Sequence, residues 1–314
     1  MILTGPETET ISFPELRELL LSKDQDSYER LSVLNSQCKF LDAKTDLTGD
    51  RVAMQSFVRS GNTFLRKYLE EITGVFTGAD MHISHTFFES MMGLLGQYIT
   101  NDSNRVWITK THWPHSIPGD KAFPAEKMIV IARNPIDVFP SFANLVNTHS
   151  HSLQVNERFD QDKPEFWEQW VRKMTINMRD NHRNVLEEIA PNIPVYFLRY
   201  EDLKLKPEPV LIELFRFLLD ADSLQGTLCE RRIKEVAALG FSTKTAYALK
   251  STSNSLCRNR HMYNEQQMAT MREELAEMIA FWGYNKGDTC FFYGVDSTSS
   301  PMTYKAYNQE RTLS

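Results

Sequence analysis

The chain contains no apolar run approaching the ~20 residues needed to cross a bilayer, so no membrane span is expected. Cysteine is scarce. Cys38, Cys229, Cys257 and Cys290 are too widely spaced for a metal pattern or a secreted disulfide framework, and they read as free thiols. Positive charge is not in excess either: the net charge of −6 argues against nucleic-acid binding. The start, Met1 to Glu7, lacks the basic residues and apolar core of a signal peptide, and a cytoplasmic location is the expectation. No Gly-Lys-Ser or Gly-Lys-Thr tripeptide is present, nor an obvious strand-ending carboxylate for magnesium, which disfavours a metal-dependent triphosphatase. His82 and His85 are three apart but have no third ligand nearby, so no metal site is expected. Repeats and low-complexity tracts are absent.

What is present suits one α/β domain with insertions: 314 residues, 41% hydrophobic and 24% charged. Residues 1–50 read as an irregular leader with a short helix from Pro14 to Leu21, capped by Ser12. The main domain is placed at 51–285 and a polar, poorly ordered C-terminal tail at 286–314, with Phe291-Phe292-Tyr293 as a segment able to dock back. Strands are expected at Val52 to Val58, Val106 to Lys110, Met128 to Ala132 and Val195 to Tyr200. Helical spacing predicts helices over 164–189, 208–219 and 265–281. The segment 142–163, with His149 and His151, shows no strong periodicity and is expected to be a mobile loop gating an acceptor. Met91, Met92, Leu94 and Leu95 read first as core and second as the lining of an apolar pocket.

Two short stretches carry chemistry. Arg59-Ser60-Gly61-Asn62-Thr63-Phe64 follows a strand and opens a helix on which Leu65, Tyr68, Leu69 and Ile72 form the apolar stripe, stopped at Gly74. Gly61 lets the backbone approach an anion, helix-start amides point at it, and Arg59, Ser60 and Thr63 add charge and hydroxyls. Arg133-Asn134-Pro135, with Asp137 and Ser141, also follows a strand: Asn134 as N-cap, Pro135 as first helical residue and Asp137 as first-turn acid predict a helix through Leu145. Arg133 at a strand's carboxyl end is placed to grip a phosphate with paired bonds, or alternatively to pair with Asp137. Together the stretches suggest a nucleotide bearing phosphates at both ends.

These residues resemble the sulfotransferase family, whose donor is 3′-phosphoadenosine 5′-phosphosulfate. Arg59 to Phe64 matches the family's loop for the 5′-phosphosulfate, with Asn62 as the departure, and Arg133, Asn134, Pro135, Asp137 and Ser141 fill its 3′-phosphate motif. Lys110-Thr111-His112-Trp113-Pro114 is similar to the family segment whose histidine is the catalytic base, and Arg199-Tyr200-Glu201-Asp202-Leu203 to the segment whose tyrosine contacts adenine. The resemblance implies a three-layer α/β/α fold with a central, mostly parallel sheet, of the kind seen in P-loop nucleotide kinases. It also implies His112 as base, with Arg59 and Lys110 stabilising charge on the leaving side. Arginine stays protonated, so Arg59 stabilises charge and hardly acts as an acid. Phe64 stands where cytosolic members carry tryptophan; it is placed either against adenine or in helix packing, and Tyr200 supplies an edge contact. Thr245, Tyr247 and Arg258 stand where the family borders the base and closes on the 3′-phosphate, although its Arg-Lys-Gly is here Arg258-Asn259-Arg260. Carbohydrate-directed relatives usually carry a membrane anchor, and its absence here favours the cytosol.

Sulfuryl transfer resembles phosphoryl transfer: the transition state is loose, and positioning and charge stabilisation do most of the work. The acceptor hydroxyl or amine must lose a proton, and a base in reach contributes ~10²–10⁴-fold. The expected partner is a small-molecule or glycan acceptor, with a homodimer left open. Two alternatives stay beside this reading. An inactive protein that binds the donor or its bisphosphate product is favoured by Asn62 and the missing Arg-Lys-Gly. A nucleotide kinase is disfavoured by the absent lysine loop.

Overall fold

Strand β1, Val52–Ser56, is buried at every position, as expected of a sheet interior covered on both faces. In a computed structural model the structure describes residues 10–36, 39–80, 96, 99, 103–112, 124–148, 158–239 and 259–284. Further strands are β2, Gly78–Ala79, β3, Ile108–His112, β4, Lys127–Ala132, and β5, Val195–Arg199. They form one parallel five-stranded sheet in the order β2-β3-β1-β4-β5. The fold class is thus α/β, as the sequence implies. The chain divides into two compact units, residues 1–55, 62–129 and 206–250, and residues 56–61, 130–205 and 251–314.

In the first unit, helix α1, Phe13–Leu21, begins as predicted: the Ser12 hydroxyl accepts from the Glu15 amide at 3.4 Å, and Phe13, Leu16, Leu19 and Leu20 are buried. The leader holds more than expected. A second helix, α2, spans Gln25–Ser36, and its Tyr28 hydroxyl donates to Glu235 at 2.8 Å. Helix α3, Asn62–Thr73, buries Leu65, Tyr68, Leu69 and Ile72 as its spacing requires. From the same helix Arg66, fully buried, donates to Thr77 Oγ1 at 2.7 Å and to its carbonyl at 2.8 Å, while Glu70 accepts from the Thr77 amide at 3.1 Å. These bonds fix the turn from α3 into β2, whose Gly78 and Ala79 pair with Thr109 and Lys110 of β3.

In the second unit, β4 leads into α4, Pro135–Thr148. The expected loop over 142–163 is therefore wrong at both ends: α4 runs to Thr148, and Phe159–Asp162 forms a short helix, α5. The reason lies inside α4. Pro140 has no N–H for the carbonyl of Ile136, an omission that ordinarily breaks a helix. Here the buried Tyr263 hydroxyl donates to that carbonyl at 3.1 Å, and Trp170 Nε1 donates to the carbonyl of Phe139 at 3.1 Å. Helix α6, Pro164–Asn184, carries Trp167 and Trp170 and runs on into a π-helical turn, Val185–Ile189. The predicted last helix is broken into Glu265–Glu274 and Ala276–Phe281, and the helix expected over 208–219 is Pro207–Leu218, in the first unit.

Cys229 is a buried free thiol, and burial pushes its pKa up. Outside the described residues lie Cys38, Cys257, Cys290, His82, His85, His149, His151, the methionine-rich stretch, Thr245, Tyr247, Arg258 and the tail with Phe291-Phe292-Tyr293. Among the described residues no helix is long and apolar enough to cross a membrane, and no group of three His, Cys, Asp or Glu could hold a metal.

Candidate active site

In the second unit the chain leaves β1 and makes a tight loop in which the Ser60 amide donates to the carbonyl of Phe57 at 3.1 Å. Arg59 has φ 70° and Gly61 φ 97°, on either side of Ser60. For Gly61 the left-handed backbone is free. For Arg59 it carries a cost of order 1–3 kcal/mol, which persists only where surroundings dictate it. Those surroundings are visible. Arg133 Nη1 donates to the carbonyl of Arg59 at 3.0 Å, and Arg59 Nε donates to Ser141 Oγ at 3.0 Å. The Arg133 guanidinium lies over the Tyr200 ring, 4.6 Å from its centroid. The same ring covers Gly61: a Cβ there would run into it, with Cε2 only 2.9 Å away. Arg59, Ser60, Gly61, Arg133, Ser141 and Tyr200 are thereby brought together by direct contacts.

The bland alternative for Arg133, an ion pair with Asp137, is not what is found. Asp137 accepts instead from the Asn259 amide at 3.1 Å, and the N-cap reading of Asn134 is supported by its Oδ1 accepting from the Ile136 amide at 3.0 Å. In the sequence Asn259 is marked only as the residue between Arg258 and Arg260. Arg260 donates to the carbonyl of Tyr263 at 2.8 Å and pairs with exposed Glu265, so it serves the chain locally. Ser60 Oγ is buried with no hydrogen-bond partner among the described residues. A buried hydroxyl normally finds a partner, and this one stands in a loop whose backbone hand suits an anion. These residues fit a phosphate.

In the first unit, Asn62, Thr63 and Phe64 open α3. Asn62 is only 4% exposed, and its amide donates to the carbonyls of Met54 in β1 and Thr111 in β3, both at 3.4 Å. A threonine or serine here could not reach two carbonyls with one hydroxyl proton. The departure at Asn62 thus ties the middle of β1 to the end of β3. Phe64 meets Tyr68 edge-on, centroids 5.2 Å apart, one turn along the same helix. Lys110 is buried within β3, and His112, expected just past the strand, is its last residue and half-buried. Alternation puts Lys110 and His112 on one face of β3 and Thr111 on the other. There the Thr111 hydroxyl donates to Asp80 at 2.5 Å, and the Asp80 amide donates to the carbonyl of Lys110 at 3.1 Å. No motif marks Asp80; only the β2–β3 register reveals it.

Behind Ser60, a cavity of about 30 Å³ in the second unit is lined by Phe57, Ser60, Arg133, Asn181 and His182 among others. Burial, with Arg183 adding to it, pushes the His182 imidazole down to about 4, so it is neutral at physiological pH.

A sulfotransferase domain family matches residues 49–277, well over half of the sequence, and the chain belongs to that family. Among curated relatives, WSCD family member CG9164 of Drosophila melanogaster is 28% identical over 168 residues, 53% of this chain and 49% of its own. WSCD family member AAEL009094 of Aedes aegypti is 26% identical over the same shares. The chain spans about half the length of these relatives. Of solved structures, mouse sulfotransferase SULT7A1 complexed with PAP is 16% identical, covering 79% of this chain and 88% of that one with a TM-score of 0.39. Retinol dehydratase in a complex with retinol and PAP is also 16% identical, covering 73% and 81% with a TM-score of 0.42.

Proposed function

We propose that the protein is a sulfotransferase taking 3′-phosphoadenosine 5′-phosphosulfate as donor and passing its sulfuryl group to a hydroxyl or amine of a small-molecule or glycan acceptor. One observation carries the reading: Arg59, Gly61, Arg133, Ser141 and Tyr200 are locked by mutual contacts around Ser60, whose buried hydroxyl has no partner among the described residues. Arg133 and Ser141 hold the 3′-phosphate. Ser60, Thr63 and the first amides of α3 hold the 5′ end, where bound donor supplies the activated sulfuryl group. Tyr200 borders the adenine, and Arg59 and Lys110 stabilise the charge that builds on the leaving phosphate. His112 accepts the acceptor's proton as its oxygen or nitrogen attacks sulfur. No metal is required, since fixed cations and amides meet the developing charge. The cytoplasm is the proposed place of work.

The test is transfer of labelled sulfate from the donor to a library of phenols, steroids, amines and glycans. Label on at least one class, dependent on the protein, is expected. Tight binding of the bisphosphate product with no transfer to any acceptor would replace this reading with that of a nucleotide-binding protein.

A further inference from the structure

Glu201 follows Tyr200 in the chain and is only 4% exposed. Burying a carboxylate is expensive unless its oxygens are bonded. Both are. Oε1 accepts the Asn134 amide at 2.9 Å, and Oε2 accepts the Tyr284 hydroxyl at 2.9 Å. Burial raises the carboxyl above the usual range, opposed by the Asn134 bond, the nearby Arg133 charge and the Tyr284 hydroxyl. Neither bonded group has a part in the reaction as proposed, so the cost calls for another return.

Asn134 is the residue after Arg133, and its amide is the point from which the Arg133 backbone is held. The guanidinium is held separately, over the Tyr200 ring and on the carbonyl of Arg59. The step Tyr200-Glu201 therefore fixes Arg133 at both ends: the ring lies beneath the charged head and the carboxylate grips the following amide. With its oxygens bonded elsewhere, Glu201 forms no ion pair with Arg133, and among the described residues no other carboxylate does. The cation is oriented without being consumed.

We propose that Glu201, steadied by Tyr284, is a positioning residue that sets Arg133 for the donor's 3′-phosphate, so that preference for a 3′-phosphorylated nucleotide depends on a carboxylate that never touches it. The inference rests on the donor reading above. Its test is calorimetric titration of the full chain with adenosine 3′,5′-bisphosphate and with adenosine 5′-monophosphate. Wild type prefers the bisphosphate. Glu201→Ala should shrink that preference about tenfold while changing monophosphate binding less than about twofold, as expected for loss of a buried hydrogen-bond anchor. Glu201→Gln, still able to accept the Asn134 amide, should keep most of the preference, and Tyr284→Phe should lose about threefold of it. A residue that merely supported the fold would weaken both nucleotides in parallel. If Glu201→Ala does not fold, Tyr284→Phe decides the matter, and an intact preference there overturns the proposal. A wild type without preference would overturn the donor reading and this inference with it; a preferring wild type whose variants keep the ratio overturns the inference alone.

Discussion

Arg133 and His112 both stand at the ends of parallel strands, yet they are held in different ways. Around Arg133, side chains hold side chains and loop backbone: Tyr200 lies under the guanidinium, Arg59 reaches Ser141, and Glu201 grips the next amide. Around His112 it is the neighbouring strand residues that are held, by the Asn62 side-chain amide on the Thr111 carbonyl, the Asp80 backbone amide on the Lys110 carbonyl and the Thr111 hydroxyl on Asp80. The difference matches the proposed tasks. A phosphate grip gains from rigid cations fixed beforehand, whereas a base needs its strand end fixed and its ring left half-buried, in reach of an incoming acceptor.

Breaking the His112 side should have the largest effect. His112→Ala is expected to lower turnover ~10²–10⁴-fold while leaving bisphosphate affinity nearly unchanged, read by steady-state kinetics beside calorimetry. Undiminished turnover would remove His112 as base and erase the contrast.

On the Arg133 side, acid offers the next largest lever. The neutral imidazole of His182 lies behind Ser60, its pKa lowered from 6.5 to about 4. A group with a depressed cationic pKa takes up protons more readily unfolded, so stability is full above pH 6.5 and falls as pH drops toward 4. The shift corresponds to roughly 3 kcal/mol. Urea unfolding across this range should show the loss in wild type and a flatter curve in His182→Gln. Gly61→Ala, which sets a methyl against the Tyr200 ring at a left-handed φ, should cost ~2 kcal/mol and weaken bisphosphate binding, measured by denaturation and titration. The smallest effect is expected from Tyr263→Phe. Removing the hydroxyl that covers the Ile136 carbonyl should cost ~1–2 kcal/mol of stability, with little change in turnover per folded molecule.

The contrast also explains what the sequence disclosed. The parallel-sheet strands, α3 and the run from Arg133 to Ser141 were legible because their signals are local: apolar runs, an N-cap, a proline at the first helical position. Longer-range bonds were not. Tyr263 rescues α4 across Pro140 from 127 residues away, so no window around Pro140 foretells that the helix reaches Thr148. Helix α2 gives little local signal because its sequence is mostly polar, and its anchor is Glu235, far along the chain. Asp80 is placed by strand register, which leaves no motif, and Glu201 stands inside the Arg199 to Leu203 segment with bonds to Asn134 and Tyr284 that only the folded chain brings together. Asn62, a departure from the family's loop in sequence, has its reason in two strand carbonyls that only the fold sets beside its amide.

Recognition of a 3′-phosphate by the Arg133 cluster is tested by calorimetric affinity for adenosine 3′,5′-bisphosphate and adenosine 5′-monophosphate in wild type and Arg133→Ala. Wild type should bind the bisphosphate at least about tenfold more tightly, and the variant should bind the two nearly equally, as expected for loss of a charge-assisted pair. Equal weakening of both nucleotides by Arg133→Ala, or no preference in wild type, would contradict it.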